Sequence, residues 1–338
     1  MRKTRTVTGA ASALGMLLLI LDTKTALSGA SEGLSLCIRT VIPSLFPFFV
    51  LSVLLTSSLS GMGIKVLRPL CRLFRIPRGA ETILLVGFLG GYPVGAQSVS
   101  EEFRRGQLTA DDARRMLAFC SNAGPAFLFG MAASLFPFPW MPWALWGVHI
   151  LSAILVGILI PGGSNRSINP EAVKPMTVTA VMNRAIRVMA TVCCWVILFR
   201  VVIAFLTRWL VWLLPAAAQV IISGILELSN GCISLCSIQN IGLRFVLCSG
   251  FLAFGGMCVM LQTLSVSAGV DTRLYFPGKV LQTVISIPVA MVVQTALPDQ
   301  MNWDIPPSIP IFLLIAVIFP FFLIKMRNFS GNLSLVGV

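Results

Sequence analysis

Val86-Gly87-Phe88-Leu89-Gly90-Gly91-Tyr92-Pro93-Val94-Gly95-Ala96-Gln97 is apolar enough to enter a bilayer, yet Gly90, Gly91 and Pro93 interrupt its middle. A continuous spanning helix seldom gathers such residues. In a helix interior glycine costs about 1 kcal/mol and proline about 3 kcal/mol relative to alanine. A second interrupted apolar run follows, Cys120-Ser121-Asn122-Ala123-Gly124-Pro125. Broken apolar backbone at membrane depth is tolerated only inside protein or beside a water-filled cavity. Transporters build their substrate sites from such segments. Residues 80–130 therefore read as half of a solute pathway.

Composition sets the class. Of 338 residues, 57% are hydrophobic and 11% charged, against about 25% charged in a soluble domain. Several apolar runs reach the ~20 residues that cross hydrocarbon. The predicted fold is an all-α polytopic membrane protein, and no long alternating strands point to a barrel. The net charge of +13 does not indicate nucleic acid. Its Lys and Arg residues sit in short clusters between apolar runs, as cytoplasmic loops of membrane proteins do. Nine cysteines and one histidine form no metal-ligand spacing. Cys193-Cys194 and Cys232-x3-Cys236 read as free thiols acting as small hydrophobes. His149, inside Gly147-Val148-His149-Ile150-Leu151, reads as a packed or water-facing side chain.

Spans are predicted at 7–22, 34–59, 116–136, 143–161, 188–212, 240–264, 279–297 and 309–324. The first follows Arg2, Lys3 and Arg5 and leads to Asp22-Thr23-Lys24. It reads as an uncleaved span rather than a signal peptide, with the N-terminus cytoplasmic. The second then delivers Lys65, Arg68, Arg72, Arg75 and Arg78 to the same side. If residues 82–99 crossed the membrane, Arg104, Arg105, Arg114 and Arg115 would fall on the wrong face. Charge and helix breakers therefore agree on a hairpin that enters and returns. Residues 108–118 read as the start of an amphipathic helix, with Thr109 as N-cap and Asp112 three residues on.

The third span ends near Trp140, Trp143 and Trp146, a charge-poor aromatic belt. The fourth returns to Pro161-Gly162-Gly163-Ser164-Asn165-Arg166 and a polar linker. The fifth exits near Trp209 and Trp212. Residues 215–236 are interrupted at Ser223-Gly224-Ile225-Leu226-Glu227-Leu228-Ser229-Asn230-Gly231 and read as a second hairpin, entering from outside. The sixth, with Phe254-Gly255-Gly256 inside it, returns to a loop holding Asp271, Arg273 and Lys279. The seventh exits to the acidic segment 298–304, and the eighth returns to Lys325 and Arg327. Eight spans and two hairpins satisfy the charge rule in every loop.

The halves share an order of local features. Leu36-Cys37-Ile38-Arg39 and Arg184-Ala185-Ile186-Arg187 each open a span. Gly87-Phe88-Leu89-Gly90 and Gly224-Ile225-Leu226-Glu227 each precede a polar tip. Cys120-Ser121-Asn122-Ala123-Gly124 and Cys248-Ser249-Gly250 each precede a glycine break. The matched elements run in opposite directions, which is an inverted-topology repeat with a midplane site.

The segments Val41-Ile42-Pro43-Ser44-Leu45-Phe46-Pro47-Phe48-Phe49, Gly87 to Ala96, Cys120 to Phe127, Gly224 to Gly231 and Phe254-Gly255-Gly256 resemble the YlbJ family of sporulation integral membrane proteins. That family is grouped with the spore maturation proteins and carries the nucleoside-recognition Gate domain twice. The resemblance covers roughly residues 30–295. It implies two Gate-like repeats and a distant similarity to concentrative nucleoside transporters, whose two hairpins hold the substrate. It further implies a bacterial cytoplasmic membrane, in the mother cell or forespore, and a role in making a resistant spore. Ser121 departs from the pattern, where the family leads one to expect a second Asn. The expected organisation is an N-terminal span over 1–30, a first Gate-like repeat over 31–165, a linker over 166–180, a second repeat over 181–297, and a C-terminal span and tail over 298–338. Both termini are expected in the cytoplasm.

Among individual residues Glu227 is the sharpest, as the only acid between Glu171 and Asp271. A carboxylate at membrane depth usually faces a cavity and marks a proton or ion site. Its plainer alternative is a shallow, water-facing loop. Arg200, inside the fifth span, either pairs with Glu227 as an ion pair or coupling group, or snorkels outward beside Arg208 and Trp209. Asn122, Asn230, Gln97 and Gln262 offer donors and acceptors to a polar solute; interhelical hydrogen bonding is their alternative. Gly90, Gly91 and Pro93 shape the pathway, and Tyr92 stacks on a ring or anchors at an interface. No catalytic set, metal cluster or phosphate loop is present, so neither an enzyme nor a cofactor is expected. The predicted function is alternating-access movement of a small polar solute. The competing one is a non-transporting scaffold for spore envelope or cortex assembly. Expected partners are the lipid bilayer, an unidentified small polar solute, and either further copies of the chain or other sporulation membrane proteins.

Overall fold

In a computed structural model, residues 2–59, 64–163, 176–210 and 213–298 are described, together with 309, 310 and 313. The described chain is helical. Five stretches are long and apolar enough to cross a membrane: 23–55, 141–159, 178–209, 241–266 and 275–296. The protein is thus a multi-pass membrane protein. The expected eighth span at 309–324, most of the linker 166–180 and the acidic loop 299–304 lie outside the described residues.

The N-terminal part differs from expectation. Helix α1 covers Arg2–Leu21, and α2 begins at once at Thr23 and runs to Leu36. A π turn at Cys37–Val41 joins α2 to α3, Ile42–Leu59. Residues 23–33, expected between two spans, are helix. Asp22 caps α2 by accepting from the backbone N–H of Thr25 at 3.2 Å. The charged residues Lys24 and Glu32 masked this helix in the hydropathy pattern.

The partner of α2 is α10, Val178–Trp209. At ~1.5 Å per residue its 32 residues span about 48 Å. Asp22 pairs with Arg208 at 2.8 Å, Glu32 with Arg200 at 2.5 Å, and the thiol of Cys37 reaches the carbonyl of Cys193 at 3.8 Å. Numbers rise in one helix as they fall in the other, so the two are antiparallel. Gly29 and Gly33 let them close. A Cβ on Gly29 would meet Cβ of Ala204 at 2.9 Å, and one on Gly33 would meet Cα of Ile197 at 2.9 Å. Small residues four apart are the usual means of close helix contact in lipid, where no hydrophobic force distinguishes a helix from its solvent.

Between these helices and beyond them the two halves present the same order of elements. After α4, Arg68–Phe74, comes the pair α5, Glu81–Leu89, and α6, Val94–Arg104. The span expected at 116–136, interrupted at 120–125, is α7, Ala110–Phe119, an irregular segment, and α8, Pro125–Gly130. The physical reason is Gly124-Pro125: the proline starts a new helix and cannot extend the old one. Helix α9, Met141–Leu159, follows. In the second half α10 leads to the pair α11, Ala216–Leu226, and α12, Leu228–Ser234. A broken helix comes next: α13, Ile241–Phe254, and α14, Gly256–Val266. Helix α15, Tyr275–Val293, completes the set. Gly255 at φ 83° and Gly256 at φ 80° make the second break. Two successive left-handed residues are a glycine conformation.

Both helix pairs are tight hairpins closed by glycine on glycine. A Cβ on Gly95 would sit 2.9 Å from Cα of Gly87, and one on Gly231 would sit 2.2 Å from Cα of Gly224. The open end of α5–α6 lies by the start of α10, where Glu101 pairs with Arg184 at 2.5 Å. The other hairpin begins just past the far end of α10. Helices α13, α15 and α9 pack as a group, and α7 packs on α15.

The end near the start of α10 gathers most of the loop charge. Thr109 caps α7 as expected, accepting from the backbone N–H of Asp112 at 3.1 Å. Arg115 is 1% exposed. Its guanidinium donates to the carbonyls of Phe74 at 3.0 Å, Ile160 at 3.1 Å and Arg75 at 3.4 Å. It therefore ties the ends of α4 and α9 to α7. Burial pulls this guanidinium below its ordinary range, against the opposing pull of Asp112 and Asp111. Replacing Arg115 with Met is expected to lower stability by about 2–4 kcal/mol, because three buried carbonyls lose a charged donor. Lys, with no planar fork, restores only part of this. Thermal unfolding of the purified variants checks both.

Candidate functional site

The two hairpin tips and the two helix breaks meet. Tip one is Gly90 to Pro93, between α5 and α6. Gly91 has φ 75°, and a Cβ there would lie 3.1 Å from the backbone nitrogen of Gly124 in the first break. Tip two is Glu227, between α11 and α12. It faces the second break, where a Cβ on Gly256 would lie 3.1 Å from the nitrogen of Leu228. Tyr92 crosses from the first half to the second. Its hydroxyl donates to the carbonyl of Leu252 at 3.2 Å, and its ring lies against Gly255.

A cavity of about 40 Å³ lies at this junction, lined by Gly90, Gly91, Tyr92, Gly124, Glu227, Ser229 and Gln262 among its residues. Its remaining walls are apolar and include Val192, Val196 and Val259. Since one water needs ~10–15 Å³ of such space, the cavity takes a few waters. A drug-sized ligand needs roughly 300 Å³ or more. The cavity is too small for such a ligand.

Glu227 is 3% exposed. Its two carboxylate oxygens accept from the backbone N–H of Ser229 at 2.9 Å and of Asn230 at 2.7 Å. It is therefore the N-cap of α12 as well as part of the cavity wall. Arg200 makes its ion pair with Glu32 and donates to Oδ1 of Asn230. Its ion-pair partner is Glu32, while it acts on Glu227 through its charge and shares Asn230 with it.

The other expected residues divide. Gln262 is buried at the cavity, with Nε2 3.2 Å from the sulfur of Cys258. Pro93 is the N-cap residue of α6. Gln97 sits further along α6, with Nε2 donating to Glu101 at 3.3 Å. Asn122 lies in the first break behind the cavity. Its Nδ2 donates to the carbonyls of Phe119 at 2.7 Å and Gly87 at 3.3 Å.

Behind Tyr92 and Asn122 lies a buried polar group that the charge pattern hid. Lys279, expected in a loop, is inside α15 and 2% exposed. Its ammonium donates to the carbonyl of Ser121 at 2.7 Å and to Oε1 of Gln282 at 2.5 Å. Gln282 in turn donates to Oδ1 of Asn122 at 3.2 Å and to the carbonyl of His149 at 3.3 Å. Nε2 of His149 accepts from the backbone N–H of Ala123 at 3.0 Å, so a neutral ring carries its proton on Nδ1. The signal was present as spacing: Tyr275, Lys279, Gln282 and Ser286 form one polar stripe at helical period.

All nine cysteines are free, with Cys194 and Cys236 exposed rather than buried. Among the described residues no group of three His, Cys, Asp or Glu side chains is placed to hold a metal.

No protein-family profile and no solved structure matches the chain. A curated relative does match: over 144 residues, 41% of this chain and 33% of the relative, the identity is 33%. The matched region is thus about a third of that relative's length. The relative is the sporulation integral membrane protein YlbJ of Bacillus subtilis (strain 168), and the match bears out the resemblance of this chain to the YlbJ family.

Proposed function

We propose that the chain is a sporulation-associated membrane transporter of a small polar solute, working by alternating access between two inverted Gate-like repeats. The observation that carries this is the cavity lined by both hairpin tips, by Gly124 of the first break and by Val259 and Gln262 of α14, just past the second. Discontinuous helices facing each other at a polar cavity are how inverted-repeat transporters build a substrate site. The matching order of elements in the two halves and the antiparallel pairing of α2 with α10 support the same reading. The role in sporulation rests on the name of the similar protein. In this reading α5–α6 dips in from the cytoplasmic side and α11–α12 from the outside, with the N-terminus cytoplasmic. The cavity of about 40 Å³ is then the closed state, and rocking of one repeat opens it to either side.

Two measurements test this. The purified chain is screened by thermal shift and by proteoliposome uptake against nucleosides, dipicolinate, amino acids and metal ions. A response confined to one class is expected, and none from any class would favour a scaffold. Cysteines placed at Arg105 and Gln239, in a background lacking Cys194 and Cys236, are expected to react with impermeant reagents from opposite sides. Reaction from the same side overturns the hairpin assignment.

A further inference from the structure

Breaking a helix strands carbonyl oxygens at the end of its first half. In the α7–α8 break one of these, the carbonyl of Ser121, is met by Nζ of Lys279 at 2.7 Å. The other contacts of this ammonium are Oε1 of Gln282 at 2.5 Å and the ring of Tyr92, whose centre lies 5.2 Å away. Among the described residues Lys279 makes no ion pair, since the carboxylates that pair with cations all lie elsewhere. Gln282 is fixed in place by Asn122 and His149, so its oxygen is held toward the ammonium. A backbone carbonyl, an amide oxygen and an aromatic face are the neutral surroundings that a desolvated monovalent cation takes. Unwound backbone carbonyls coordinate sodium or protons in discontinuous-helix transporters.

We propose that the α7–α8 break is a monovalent-cation site which the chain fills with its own Lys279 ammonium, in place of sodium or potassium. The site joins three elements: the break, helix α15 and, through Tyr92, the tip of the first hairpin. An opening of that hairpin uncovers the ammonium. Resting on the transport reading above, the opened pathway hydrates the ammonium, which keeps its proton in water, and closure returns it to the Ser121 and Gln282 oxygens. The titratable groups facing Lys279 are Tyr92 from the hairpin, Cys120 from α7 and His149 from α9, with Tyr275 on its own helix. None of these is a carboxylate that would hold the charge permanently.

The test uses the full chain in nanodiscs, with melting followed in choline, sodium or potassium chloride at equal ionic strength. Wild type is expected to melt at the same temperature in all three. Lys279→Ala, which empties the position while leaving the Ser121 and Gln282 oxygens, is expected to melt lower in choline and to regain part of the loss in sodium or potassium. Lys279→Arg keeps a fixed charge and is expected to show no salt response. Equal melting of Lys279→Ala in all three salts, or a wild-type shift as large as the variant's, overturns the site. Should Lys279→Ala fail to fold in choline, recovery of folded protein in sodium carries the same information. Failure in every salt, with Lys279→Gln equally unresponsive, counts against the proposal. Uptake is a separate readout. A wild type that moves no screened compound sinks transport, while the salt response of the variant still decides the site.

Discussion

Gly95→Ala is expected to cost ~3 kcal/mol or more and to remove most folded protein from the membrane, although it adds one methyl group. That methyl would lie 2.0 Å from the carbonyl oxygen of Cys120 and 2.9 Å from Cα of Gly87. Both neighbours are backbone, so no side chain can rotate away. Helix α6 would have to part from α5 and from the end of α7, and the first break would move with them. Gly147→Ala is the control. Nothing lies within 4 Å of a Cβ there, and Gly147 is inside α9. Alanine at a compatible helical position stabilises by about 0.4–1 kcal/mol. Thermal unfolding of the two variants should therefore move in opposite directions. Equal effects would show that the hairpin is not packed as tightly as Gly87 against Gly95 implies.

Much of this arrangement was legible from local chemistry. Gly90, Gly91 and Pro93 break a helix wherever they occur, so the first tip could be placed without knowing its neighbours. The same holds for Gly255-Gly256 and for Thr109 as a cap. Charge sidedness anticipated that Arg104, Arg105, Arg114 and Arg115 lie with Arg75, and Arg115 does touch the carbonyls of Phe74 and Arg75. Pairings between distant segments were less legible. The charge rule groups Lys279 with the loop residues Asp271 and Arg273. In the fold, Pro277 sits in the first turn of α15, where its missing N–H has no consequence. Gly278 is there to admit Ala118, whose Cβ would lie 2.7 Å from a Cβ at that position. Glu32 was overlooked because its partner Arg200 is remote in sequence. The interruption at Gly124-Pro125 inside the span expected at 116–136 was legible for the same local reason.

These pairings hold the two tips at the cavity. Tyr92 is fixed at both ends, by the Leu252 carbonyl and by the Lys279 ammonium over its ring. The second hairpin is held through Asn230 by Arg200, itself paired with Glu32. Each tip is thus fastened to an element outside its own hairpin. In the proposed transporter, opening one side would break one such set while the other is kept.

Glu227→Gln is expected to lower the response to the best compound of the solute screen at least ten-fold, equivalent to ~1.4 kcal/mol of binding, with little change in membrane abundance. The carboxylate of Glu227 accepts from two backbone N–H groups and also hydrogen-bonds the Ser229 side chain, which leaves acceptor capacity over. At the cavity wall that remaining capacity is available to a solute. Gln keeps the length of the side chain and one acceptor oxygen but sets an NH2 against a backbone N–H, a loss of about 1 kcal/mol in capping. Asp keeps the charge and is itself a favoured N-cap, so its response should lie between wild type and Gln. Ala leaves the N–H groups of Ser229 and Asn230 unmatched in a buried place, costing about 1–3 kcal/mol, and should reduce abundance as well as binding. The three variants separate the two roles of this carboxylate. A role in capping alone predicts that response falls only where abundance falls, as in Ala. A role at the cavity predicts that Gln loses response while remaining folded, and a fully responsive Gln variant would remove Glu227 from the solute pathway.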